Sequence, residues 1–266
     1  MHVQRIDSAD DPRLDDYRNL KRRSHDEHVV VESRAVVARL VDAPCIVRSL
    51  IVTPQLVDEF AQVGATTGAP VYVVEREVLA TLAGYDVHRG VLAAVDRPVM
   101  PSLAEVLGTA RRLVVLEGSN DLENIGVIAR SARALGVDAL VLDPTCADPF
   151  ARRSVRVSMG ELLRLPVVRC TSWPDALDEM AAAGFEVWAL TLGADARSLL
   201  DIIRDPSPLP NRIALLAGAE GPGITAQALA RVPRRVRIPM HHDVDSLNLG
   251  HALAIAMASV SPAMPR

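Results

Sequence analysis

The chain has 266 residues, 49% of them apolar and only 3% aromatic, with a formal net charge of −4. That length is long for one domain and comfortable for two, and the apolar content suffices for a sizeable core. The charge excludes a globally basic nucleic-acid binder, so any RNA surface must be a local patch; the scarcity of aromatics excludes a sheet that reads RNA by stacking bases.

Residues 1–28 form a charged N-terminal extension. Its run LKRRSHDEH, Leu20 to His28, reads as a solvated helix, and Lys21, Arg22 and Arg23 are also placed to touch phosphate. Lys21 is the sole lysine; arginine suits bidentate phosphate contacts as well as reflecting genome composition. The polar, acidic start is unlike a signal peptide. From Val29 the apolar runs VVVESRAVVARLVD, CIVRSLIVT, VYVVER and HRGVLAAV, rich in Val and Ile, predict a small α/β domain over 29–97. Pro98 and Pro101 mark 98–109 as a linker.

Over 110–266 apolar strands alternate with helical stretches, which predicts about six parallel strands with helices on both faces. The first strand leads into LEGSNDLENIGVIARSARALG, where Asn124 is predicted to cap a helix, Gly136 to stop it, and Arg130 and Arg133 to project from it. Arg152, Arg153 and Arg156 are the densest basic cluster, open to reading as a solvated helix face or as an RNA-phosphate track. In the last third, LLAGAEGPGIT takes a strand into a turn with Gly218, Gly221 and Gly223. VRIPM ends a second strand, and SLNLGHALAIAMAS begins an apolar helix with Ser246 as its predicted N-cap. Glycine backbone and polar groups thus gather as a ligand site. It is not a P-loop, since no Gly-Lys-Ser/Thr follows, and it is not in the first βα unit as a dinucleotide fingerprint is.

Cys45, Cys146 and Cys170 are odd in number and far apart, as free thiols in a reducing cytoplasm are. The most apolar segment, Leu247 to Val260, is shorter than a membrane span and carries Asn248 and His251. A cytoplasmic protein with no membrane partner is expected. His241, His242, Asp243 and Asp245 fit no standard metal-ligand spacing, so no metal is expected.

The N-x-G-x-x-x-R of Asn124, Gly126 and Arg130, then Leu215 to Ile224, then Ile238 to Met240 with Ser246 to Asn248, resembles the ordered motifs of the SpoU family. These TrmH-like enzymes of the SPOUT class are S-adenosylmethionine-dependent RNA ribose 2′-O-methyltransferases. The resemblance spans the second domain. The first is similar to the family's ribosomal-protein-like substrate-binding domain, with Glu32-Ser33 where members have Glu-Gly. It implies a parallel α/β sheet with a C-terminal deep trefoil knot, and a homodimer with the site at its interface. S-adenosylmethionine would be held by Gly218, Ile238 and Leu247, with Leu192, Gly223 and Met240 beside them. Arg130 stands at the family's catalytic arginine, and Asn124, Glu220, Ser246 and Asn248 at its other polar positions. RNA, ribosomal rather than transfer, is the implied substrate, contacted by Arg22, Arg23, Arg133, Arg152, Arg153 and Arg156. The chain departs from the pattern in HHDVD before SLN, and in Leu249-Gly250 where members have Val-Ser. An arginine with a pKa above about 12 is no general base, so Arg130 is expected to hold phosphate and polarise the 2′-oxygen. The rival readings are a non-catalytic RNA- or ribosome-binding protein on the same fold, and an oxidoreductase using GAEGPG as a nucleotide phosphate loop.

Overall fold

The structure, a computed structural model, describes residues 3–20, 27–193, 195–242 and 244–261. Lys21, Arg22 and Arg23, expected to touch phosphate, lie outside the described residues, as does Asp243. The chain falls into two compact units, residues 1–99 with 150–164, and residues 100–149 with 165–266.

In the first unit, β1 (Val3–Arg5), β2 (His28–Glu32), β3 (Val47–Val52), β4 (Val71–Val73) and β5 (Val91–Asp96) form a sheet of order β1-β4-β3-β5-β2. β1 and β3 run parallel to β4, and β5 is antiparallel to β2 and β3. The Val- and Ala-rich strands β2 and β5 are buried almost throughout, which their unbroken apolar runs require. Of the residues expected to form a charged extension, the described ones, 3–20 and 27–28, are instead built into this unit. Leu14, Tyr17 and Leu20 recur every third residue among charges and enter its core. The buried Tyr17 hydroxyl donates to the Ser49 carbonyl at 2.8 Å and accepts from the Ala94 N–H at 2.9 Å. It sits beside the register shift between β3 and β5 at Val47/Ser49, satisfying backbone groups that the irregular ladder leaves over.

Residues 150–164, expected in the catalytic domain, also belong to this first unit. The helix Arg152–Val157 carries Arg156 into an ion pair with Glu32. Arg152 donates to the Tyr85 hydroxyl at 2.9 Å and lies 4.8 Å from the centre of that ring. Tyr85 in turn donates to Glu32 at 2.9 Å. Arg164 donates to the Asp42 carbonyl at 2.8 Å. A Cβ on Gly160 would come within 2.9 Å of Val36 Cγ1, so the segment packs closely. Its place in the sequence, between two strands of the other unit, gives no sign of these partners.

The second unit is built on β6 (Arg112–Glu117), β7 (Ala139–Leu142), β8 (Val167–Arg169), β9 (Glu186–Leu190), β10 (Arg197–Ser198), β11 (Ile213–Gly218) and β12 (Arg234–Arg237). They form one parallel sheet of order β10-β12-β9-β11-β6-β7-β8. Six of the strands fall where they are expected, five as apolar runs and β12 as the arginine-rich RRVR; the seventh, β10, has two residues and no apolar run to betray it. The proposed linker is a correction too. Its helix Leu103–Thr109 opens with a Ser102/Glu105 capping box and puts Val106 and Leu107 into this core.

Two helix starts differ from expectation. Asp121, not Asn124, caps the helix Leu122–Ala134, accepting from the Glu123 N–H. Asn248, not Ser246, caps the helix Leu249–Val260, accepting from the N–H groups of Gly250 and His251. In both cases several capping-competent residues precede the helix, and the sequence alone does not rank them. The two helices pack against each other, closely enough that a Cβ on Gly250 would meet Val127 Cγ1 at 3.0 Å.

Candidate active site

β11 ends at Gly218, and the chain then doubles back on itself. The Gly223 N–H donates to the Ala219 carbonyl at 2.9 Å, and Ala219 and Gly223 form an isolated bridge. A Cβ on Gly218 would lie 2.1 Å from the carbonyl carbon of Gly223 and 2.4 Å from the Ile224 nitrogen. Those are backbone atoms that cannot turn aside, so only glycine permits the approach. Gly223 itself has φ +71, a left-handed conformation.

Above this turn a hydrogen-bond network joins residues remote in sequence. Glu220 Oε1 accepts from Asn124 Nδ2 at 3.1 Å, from Asn248 Nδ2 at 2.9 Å and from the Leu249 N–H at 3.2 Å. Asn248 Nδ2 also donates to Asn124 Oδ1 at 2.9 Å. Freed from capping, Asn124 points its buried side chain into this network. One carboxylate oxygen thus ties the first turn of one helix to the cap of another.

Beside the network, at the C-terminal ends of β9, β11 and β12, opens a cavity of about 700 Å³. Ligands of open parallel sheets sit at this edge. Every residue expected to hold the cofactor lines it: Gly218, Gly223, Leu192, Ile238, Met240 and Leu247. Glu220, Ser246 and Asn248 line it as well. Leu192 is 65% exposed, an apolar side chain left uncovered at the cavity. Sequence reasoning missed Thr191, whose buried hydroxyl has no hydrogen-bond partner among the described residues. It also missed Glu117, which holds the far end of the glycine loop. The only sequence signal for either is that it lies at or just past a strand end.

Arg130 is not part of the lining. It is exposed further along the helix Leu122–Ala134, and among the described residues its guanidinium has no hydrogen bond or ion pair. Arg133, Arg153 and Arg156 are exposed; Arg156 and Arg152 engage Glu32 and Tyr85, and Arg133 and Arg153 have partners too. Among the described residues, no group of three or more His, Cys, Asp or Glu side chains is arranged to hold a metal ion. Nor is any helix among them long and apolar enough to cross a membrane.

Fold and cavity define a parallel α/β domain with a candidate ligand site at the C-terminal edge of its sheet, walled mainly by the loops after the strands, with Leu229, Leu249 and Ala252 added from helices. Residues 111–258 match the SpoU rRNA Methylase family. A tRNA/rRNA methyltransferase of Mycobacterium tuberculosis, described as uncharacterized, is 43% identical over 265 residues, 96% of this chain and 91% of the relative. The 23S rRNA (guanosine(2553)-2′-O)-methyltransferase RlmP of Bacillus subtilis is 27% identical over 95% of this chain and 97% of its own. Among solved structures, an AdoMet-bound rRNA methyltransferase from Sinorhizobium meliloti superposes with a TM-score of 0.80 at 25% identity, over 97% of each chain. The chain belongs to the SpoU rRNA methylase family, a family of RNA methyltransferases.

Proposed function

We propose that this protein transfers a methyl group from S-adenosylmethionine to a ribose 2′-hydroxyl of structured RNA, ribosomal in preference to transfer RNA, as a cytoplasmic homodimer. The observation that carries the reading is the Asn124–Glu220–Asn248 network standing over the glycine-lined cavity. The cavity volume is within the range of small-molecule sites, and the missing Cβ at Gly218 lets the Gly223–Ile224 backbone fold in close and shape its wall. Leu192, Ile238 and Leu247 would flank it with apolar contact. The 2′-O chemistry and the ribosomal substrate named for the Bacillus relative, and the AdoMet bound by the Sinorhizobium neighbour, support the same assignment.

S-adenosylmethionine, when bound, supplies a methyl group already activated on a sulfonium. The residues of this chain then have to align a weak nucleophile and ease the loss of its proton. Asn124, Glu220 and Asn248 hold the three motif segments in one geometry. Arg130 binds the substrate phosphate and polarises the 2′-oxygen, and the proton leaves to a neighbouring group or water. Val127 and Ile255, 37% and 42% exposed on adjoining helices, support a dimer face that would bring Arg130 to the interface. A C-terminal trefoil knot belongs to the same reading. Arg133, Arg152, Arg153 and Arg156 would contact RNA, Arg152 and Arg156 while sharing their charge with Glu32.

The test is transfer of labelled methyl from S-adenosylmethionine to separate pools of unmodified ribosomal and transfer RNA, with wild type and Arg130→Ala. Label in ribosomal RNA that maps to a ribose 2′-oxygen and disappears with the variant is the expected result. Label on a base would refute the 2′-O assignment, and cofactor binding with no label in either pool would favour a non-catalytic RNA-binding role.

A further inference from the structure

Glu117 closes β6 and is paired in register with Gly218, the last residue of β11. It is only 4% exposed, yet it is a carboxylate. Oε1 accepts from the Trp173 indole N–H and the Thr225 hydroxyl, each at 2.7 Å, and Oε2 accepts from the Thr225 N–H at 2.8 Å. Donors directed at both oxygens are what makes such burial tolerable.

The placement of those donors gives the carboxylate its consequence. The loop Gly218–Ile224 lines the cavity along its whole length. Its upstream end is fixed by sheet pairing with Glu117, and its downstream end, Thr225, by the Glu117 side chain. Thr225 caps the helix Ala226–Arg231, so the same contact sets where the chain leaves the loop. Glu220 secures the loop to the helices above, and Glu117 secures it to the sheet below.

We infer that Glu117 is a positioning residue of the ligand site: by holding Thr225 it sets the shape of the glycine loop, and with it the affinity of the cavity for an adenosyl thioether or sulfonium. This rests on the cofactor reading above. Glutamine cannot substitute. Whichever way its amide is turned, the NH2 faces either the Trp173 or the Thr225 N–H, and a donor is left opposing a donor.

Calorimetric titration with S-adenosylhomocysteine, which needs no RNA and no turnover, tests the inference. Glu117→Gln is expected to raise Kd by about tenfold, the equivalent of one lost charge-assisted hydrogen bond. Thr225→Ser keeps both donors and should bind as wild type does, whereas Thr225→Val loses one and should bind several-fold more weakly. A spectroscopic readout needs no change at the site. With 15N-labelled indoles, the Trp173 N–H signal, assigned by Trp173→Phe, should shift on titration of the wild-type protein. That of Trp188, which donates to Glu186, should stay. Trp173 does not line the cavity, so its shift would report the Glu117–Thr225 link. A folded Glu117→Gln protein with wild-type affinity would overturn the inference and leave the cofactor reading standing. So would equal binding by the serine and valine variants with an unmoved Trp173 signal, which decides the matter even should Glu117→Gln not fold. Failure of wild type to bind S-adenosylhomocysteine would instead overturn the cofactor reading and this inference with it.

Discussion

The Asn248 side-chain amide donates to Glu220 Oε1 at 2.9 Å while its own Oδ1 caps the helix Leu249–Val260. One side chain therefore sets both the start of the closing helix and the height of the glycine loop. Glu220→Ala removes the acceptor of three donors. The expected outcome is S-adenosylhomocysteine binding weakened by about tenfold or more, since each lost hydrogen bond to a charged group is worth about 1.5–3 kcal/mol before solvent exposure discounts it. Methyl transfer should fall further than binding, because the Asn124 Nδ2 would lose its acceptor while only the Asn248 bond to its Oδ1 remains. Calorimetry and the labelled-methyl assay measure the two effects separately.

Gly218→Ala tests the backbone cradle. The added Cβ would lie 2.1 Å from the Gly223 carbonyl carbon, so the turn must open. Destabilisation of about 1–3 kcal/mol, as for overpacked cores, should accompany loss of ligand binding. Thermal melts with and without S-adenosylhomocysteine check both: the variant should melt lower and gain nothing from the ligand.

Tyr17→Phe addresses the first unit. It leaves the Ser49 carbonyl and the Ala94 N–H without the hydroxyl that joins them, at a cost of about 1–3 kcal/mol for buried groups left unpaired. Urea unfolding should show the loss, while ligand affinity of the second unit's cavity should be unchanged.

The thiols give a pH prediction. Burial first, then the neighbouring Asp143 carboxylate, pushes the Cys146 thiol up to about 12, and burial pushes Cys170 up to about 11. A raised thiol pKa means that both stay protonated and unreactive near neutrality. A disulfide-exchange reagent at pH 8 should leave both unmodified in the native protein and modify them on unfolding. Because the native state retains these protons where the unfolded chain releases them, stability should fall as pH rises from about 9 toward 12.

Much of the second unit can be read without coordinates. Most of its strands are apolar runs because helices cover both faces of a parallel sheet, the two-residue β10 and the arginine-rich β12 aside, and the glycines of the loop after β11 announce a backbone bent beyond what other residues allow. The residues singled out by motif order, Gly218, Gly223, Leu192, Ile238, Met240 and Leu247, line one cavity, most of them following strand ends and Leu247 preceding the closing helix. Local pattern could not decide which of several polar residues caps a helix. Asp121 and Asn248 take the caps because Asn124 is drawn toward Glu220, a residue far along the chain. Nor could it show that Leu14 and Tyr17 are core residues, since their spacing is hidden among charges, or that 150–164 packs with Glu32 and Val36. The role of Glu117 is of the same kind: a glutamate after an apolar strand is an ordinary strand end until Thr225 and Trp173 are seen to converge on it. Periodicity and turn chemistry are local and survive in sequence. Hydrogen-bond partners of buried polar groups are chosen by the whole fold, and only the tertiary structure decides them.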